Sequence, residues 1–221
     1  MNLPDGLLDG NWALLAWLPY AALLVLAARR ARWRVLLDSA RLNAFLAMLV
    51  ALVLLWQLQA GVRPGLSLHL LGATVLTLCV GWELAFLGLS LVLIGVSLNG
   101  AAGWQVFAVN GLLMAGVGVA VSRTAHRFVD RLLPDHLFVY IFCKGFFASA
   151  LTVMAVGAAC CLLLSLADVY DGEYLRGEYL PYFVLLGFSE AWLSGMFTTL
   201  FAVYRPDLLA DAEGTPFAGR K

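Results

Sequence analysis

Seven apolar blocks fill most of this chain, about Trp12 to Ala28, Ala40 to Ala60, Leu66 to Val80, Leu84 to Asn99, Trp104 to Val121, Leu137 to Ala167 and Pro181 to Tyr204. Crossing a hydrocarbon core about 30 Å thick takes about 20 helical residues, and the longer blocks reach that length. Of 221 residues, 62% are hydrophobic and 13% charged, against about 45–50% and about 25% in a soluble domain. A fold surrounded by water could not hide that much apolar surface. In lipid the backbone must satisfy its own polar groups, which leaves helices or closed barrels. Blocks this long point to helices. The expectation is a single all-α transmembrane domain over residues 1–221 with seven spans. Only Gly81, Trp82 and Glu83 part the third block from the fourth, so the alternative there is one buried hairpin with half-spanning arms.

Positive residues in short loops are retained on the cytoplasmic side. Arg29, Arg30, Arg32, Arg34 and Arg41 bracket the first connection, Arg123, Arg127 and Arg131 follow the fifth block, and Arg205, Arg220 and Lys221 follow the last. Seven spans put all of these on one side. The other side receives Arg63 and Arg176 with Asp5, Asp9, Asp168, Asp171, Glu173 and Glu178. The N-terminus is therefore expected outside and the C-terminus in the cytoplasm. Residues 1–10 carry Asp5 and Asp9 and no basic side chain, the wrong charge for a cleaved signal peptide, so the start reads as the mature start. A net charge of zero gives no sign of a nucleic-acid partner.

Within the blocks, small residues mark expected helix seams, because close backbone approach drives helix association in lipid. Gly88, Gly95 and Ala102 repeat every seven residues, and Gly111 and Ala115 are four apart. Cys79, Cys143, Cys160 and Cys161 show no metal or disulfide spacing and read as buried thiols. The tail from Asp207 to Lys221 reads as a short flexible end.

An ionisable side chain inside a span needs a reason, and Lys144 and Glu190 are two such residues. At about 1.5 Å per residue, Lys144 lies roughly 11 Å from the cytoplasmic start of its block and Glu190 roughly 14 Å from the outer start of its own. Similar depths predict an ion pair. His69 sits near the outer end of the third block, where imidazole is a candidate metal ligand, whereas His126 and His136 fall in a loop with Arg127 and Asp135 and read as solvated. No nucleophile–base pair, phosphate loop or paired-carboxylate signature occurs, so no enzyme is expected.

Three segments taken together, Met1-Asn2-Leu3-Pro4-Asp5-Gly6, His69-Leu70-Leu71-Gly72, and Glu190-Ala191-Trp192-Leu193-Ser194-Gly195 running on to Tyr204-Arg205-Pro206-Asp207-Leu208-Leu209, resemble the CbiM/NikM family, in a shorter proteobacterial branch. Leu98-Asn99-Gly100 and Asn110-Gly111-Leu112-Leu113-Met114 resemble its central region. Members are membrane-embedded substrate-binding subunits of energy-coupling-factor cobalt and nickel importers. The resemblance implies seven helices, an outside N-terminus and a bacterial inner-membrane location. It also implies a metal held by the N-terminal amine, a histidine at position 2 and the histidine of the His-Leu-x-Gly motif. The first and last fall on Met1 and His69, while Asn2 replaces the middle one. An amide oxygen is a poorer ligand for nickel or cobalt than imidazole. Asp5 and Asp9 are candidate substitutes, and Cys79 lies about 15 Å of helix deeper.

The function expected is a substrate-binding component for uptake of a divalent transition metal ion, cobalt or nickel by resemblance, with a partner transmembrane coupling subunit and ATPase subunits. The alternatives are a membrane scaffold or assembly factor that has lost the metal site, and a self-sufficient ion or proton-coupled carrier built on Lys144 and Glu190.

Overall fold

The computed structural model describes residues 1–61, 63 and 65–210. The tail expected to be flexible from Asp207 is instead packed at its start, with Leu208 and Leu209 buried and Ala210 N–H bonded to Leu78 O; residues 211–221, with Arg220 and Lys221, lie outside the described residues. Among the described residues, six helices are long and apolar enough to cross a membrane: α1 (Gly10–Arg30), α2 (Ser39–Gln57), α3 (Ala73–Leu98), α4 (Phe107–Leu132), α5 (Leu137–Leu166) and α6 (Gly172–Tyr204). A two-residue antiparallel ribbon, β1 (Ala60–Gly61) with β2 (Ser67–Leu68), links α2 to α3. The first helices lie at the edge of the bundle, where Leu14, Leu15 and Leu18 are exposed. α3 and α4 lie at its centre.

Six helices stand where seven blocks were expected, because the third and fourth blocks meet in α3. Gly81 breaks that element with φ 80° and ψ 167°, a conformation essentially confined to glycine. Contacts along α2 give the directions of the two arms. Gly72, before the first arm, faces Leu52 near the end of α2, and Gly81 faces Arg32, ahead of its start. The second arm then runs back alongside α2, with Gly88 against Phe45 and Leu49 and Gly95 against Val53. The chain therefore reverses at Gly81. The first arm has only eight helical residues, Ala73 to Val80, and the rest of the third block, Leu66 to Gly72, is non-helical. Reversal leaves the last carbonyls of that arm without helical partners. Leu78 O is covered by Ala210 N–H at 2.9 Å.

Glycines at the seams admit bulky neighbours. A Cβ on Gly111 would lie 2.4 Å from the Tyr20 ring, and one on Gly157 2.3 Å from Phe183. The small-residue positions Gly88, Gly95 and Gly111 thus pack within the bundle.

Two helices extend beyond their apolar blocks. α4 continues to Leu132, because Ser122, His126 and Val129, three and four residues apart, form one buried face while the arginines take the other. His126 is accordingly 3% exposed, with Nε2 bonded to Lys144 O at 3.2 Å. The solvated-loop expectation fails for it, though His136 is exposed and caps α5. Likewise α6 begins at Gly172 under an Asp171 cap, nine residues before its apolar block.

Candidate metal site at the N-terminal end of the bundle

Residues 1–3 enter the bundle as a non-helical stretch of chain, with Met1, Asn2 and Leu3 all buried. Backbone groups on such a stretch need partners inside an apolar core. Asn110 supplies them for Leu3, accepting its N–H at 2.9 Å and donating to its carbonyl at 3.0 Å. Gly103 N–H also donates to Leu3 O at 3.0 Å. A side chain at Gly103 would strike the N-terminal chain, since its Cβ would lie 2.3 Å from Asp5 Oδ1.

Opposite residues 1–3 runs the non-helical stretch Leu66–Gly72. The Met1 amino group donates to Ser67 O and, at 2.9 Å, to Ser67 Oγ, which also accepts Asn2 N–H at 3.2 Å. Tyr179 on α6 donates its hydroxyl to the same Ser67 carbonyl at 3.0 Å. His69 is 2% exposed, and its Nε2 stands 3.2 Å from Asn2 Oδ1. The Trp56 ring lies 4.9 Å from the imidazole, with its Nε1 bonded to Leu71 O at 3.1 Å. Glu190 completes the support. Its carboxylate accepts Leu71 N–H and Gly72 N–H, both at 2.7 Å. A carboxylate thus satisfies two amides that helix geometry leaves open.

The chemistry of this pocket favours a cation. His69 Nδ1 lies 3.0 Å from Leu70 O, so it carries the ring proton and Nε2 offers a lone pair. That lone pair faces another on Asn2 Oδ1, and Asn2 Nδ2 is buried with no hydrogen-bond partner. Either the amide turns over to donate to Nε2, or a positive ion lies between the two acceptors. Burial lowers the Met1 amine to about 5. The amine is therefore neutral at pH 7, the form in which it binds metals. Among the described residues, no group of three or more His, Cys, Asp or Glu side chains could hold a metal. The donors here are an amine, an amide and one imidazole.

The family of cobalt-uptake substrate-specific transmembrane regions matches residues 2–208. The chain belongs to this family, CbiM. It is a multi-pass membrane component of transition-metal uptake. No curated protein matches its sequence. A truncated transition-metal transporter has a crystal structure with TM-score 0.73 and 19% identity, covering 91% of this chain and 98% of that one. A second transition-metal transporter gives 0.71 and 19%, over 89% of this chain and 90% of that one. The CbiM chain shares their fold.

Within this CbiM fold Met1, Asn2 and His69 come together. Asp5 and Asp9 stay exposed, and Asp5 accepts Gln105 N–H at 2.7 Å. Neither substitutes for the missing histidine. The expected Lys144–Glu190 ion pair is absent. Lys144 instead pairs with Asp130 on α4, its ammonium 5.0 Å from the Tyr140 ring centre. Register explains the error. Ser149 bonds to Glu190 O, while Gly145 packs on Thr198, eight residues or about 12 Å farther along α6. The pocket residues Ser67, Trp56 and Tyr179 carried no sequence signal, since each acts through contacts distant in the chain.

Proposed function

We propose that this CbiM-family protein captures a divalent transition metal ion, cobalt or nickel, in the pocket formed by the Met1 amine, Asn2 and His69. The observation that carries this reading is the meeting of these three donors in one buried pocket, with the amine neutral at pH 7 and the imidazole offering Nε2. Asn2 makes the site weaker than one with a second imidazole. Coupling to ATP falls to a transmembrane partner and ATPase subunits, because the chain has no nucleotide-binding motif. A stand-alone carrier is disfavoured. The Lys144–Glu190 pair it requires is absent, and Arg32, Arg123 and Arg127 at the far end of the bundle would repel a departing cation.

We also propose seven crossings of a bacterial inner membrane with the N-terminus outside. Support comes from the reversal at Gly81 and from the arginines gathered at the end opposite Met1. A cysteine introduced at Asp171 should react with an impermeant reagent from outside, and one at Arg127 should not. Labelling of both from one side would overturn the topology.

Titration of purified protein with cobalt and nickel tests the capture site. Protons compete with metal for a base only below that base's pKa. The amine at about 5 therefore predicts constant affinity from pH 8 to about 6. Affinity should then fall by about tenfold per unit below pH 5. A decline starting near pH 8 would mean an exposed amine outside the site. No retained metal at any pH would favour the scaffold reading.

A further inference from the structure

At the end of the bundle opposite Met1, the reversal at Gly81 opens a cavity of about 330 Å³. Arg32, Arg123 and Arg127 line it, with Trp82 as part of the wall and the buried His126 imidazole among the lining groups. The Arg123 guanidinium rests on the Trp82 ring, 4.5 Å from its centre. Arg32 Nη2 and Glu83 Oε2 both lie beside Gly81, each 3.4 Å from where a Cβ there would stand. Two carboxylates share the space, Glu83 and Asp130, but Asp130 is engaged by Lys144. Ion pairs among the described residues are Lys144–Asp130 and Arg205–Asp207, so none of the three guanidinia has one. Arg30 and Arg127 act electrostatically on Arg123, with Glu83 the attractive group. Three arginines thus face one uncommitted carboxylate in a concave, partly apolar site. Like charges gathered this way call for an anion.

We propose that this cavity binds a phosphate-bearing anion, held between Arg123 and Arg127 with Arg32 closing over it. Guanidinium forks match phosphate oxygens two at a time, which an ammonium cannot do. Basic pockets between transmembrane helices at the cytoplasmic face characteristically take phospholipid head groups, and about 330 Å³ is room enough for a phosphate with its glycerol. The same chemistry admits free phosphate. The site is separate from the metal pocket, and its test does not depend on metal binding or sidedness, because a nanodisc presents both leaflets.

The experiment places the full chain in nanodiscs of phosphatidylcholine, of phosphatidylcholine with phosphatidylglycerol, and of phosphatidylcholine with inorganic phosphate added. It reads the unfolding temperature in each and the lipids retained in native mass spectrometry. Protection by phosphatidylglycerol, with one retained anionic lipid, assigns the site to a head group. Protection by inorganic phosphate without anionic lipid assigns it to the free anion. In both cases Arg123→Gln with Arg127→Gln should weaken the effect by roughly tenfold or more, as loss of hydrogen bonds to a charged group requires. Arg34→Gln, which removes one positive charge outside the cavity, should leave it intact. Arg123→Lys with Arg127→Lys keeps the charge and should give a partial loss, so a variant pair survives if the glutamines prevent folding. Protection equal in all variants, or none from either anion, overturns the proposal. Crosslinking of Arg127 to a partner protein's carboxylate, with no lipid or phosphate effect, would also overturn it.

Discussion

His69→Ala should abolish cobalt and nickel binding, and Asn2→His should tighten it at least roughly tenfold, since an imidazole replaces an amide toward metals that prefer nitrogen. The geometry supports both expectations. His69 Nε2 and Asn2 Oδ1 are 3.2 Å apart, so a side chain at position 2 already points at the imidazole. The stretch that carries it is fixed by Asn110 and Ser67, and histidine there would be presented from the same backbone. The two substitutions are separable by calorimetric titration and metal content. If His69→Ala leaves the metal content unchanged, the site lies elsewhere. If Asn2→His gains nothing while His69→Ala still abolishes binding, position 2 is outside the coordination shell.

What the sequence revealed, and what it concealed, follows from the range of each interaction. Apolar blocks and arginine positions are local signals, and they predicted long helices and the arginine-rich end. The cost of ending a helix in lipid is also local, and Gly81 between two short blocks already marked a break. Amphipathic continuations such as Ser122–Leu132 are lost to block counting, because their charged face dilutes the apolar signal, and His126 was misread as solvated for that reason. Depth within a span was less predictable still. It was counted from block edges, while the actual register of α5 against α6 depends on where each helix starts and on the fit of Gly145 to Thr198. That error produced the Lys144–Glu190 pair. The link between Met1 and His69, 68 residues apart, came from resemblance to a family, and no pattern in the residues alone would have supplied it.

Glu190 gives the second large effect. Leu66 to Gly72 passes through the bundle without helical hydrogen bonds, and lipid offers no water to replace them. Two of its amides, on Leu71 and Gly72, are satisfied by one carboxylate that is itself 2% exposed. Glu190→Ala would leave both amides unpaired, at about 1–3 kcal/mol each. Glu190→Gln keeps the shape but offers one oxygen to two donors and turns an NH₂ toward the second, so its loss should be about half as large. The neighbouring Leu71 carbonyl holds Trp56, and the Trp56 ring packs on His69, so the disturbance passes to the metal pocket. Both variants should unfold at lower temperature and bind metal more weakly, with Gln between Ala and wild type in each measurement. Wild-type stability and affinity in Glu190→Gln would show that the charge does no positioning. Lost stability with unchanged affinity would show that the clamp holds the fold but does not orient His69.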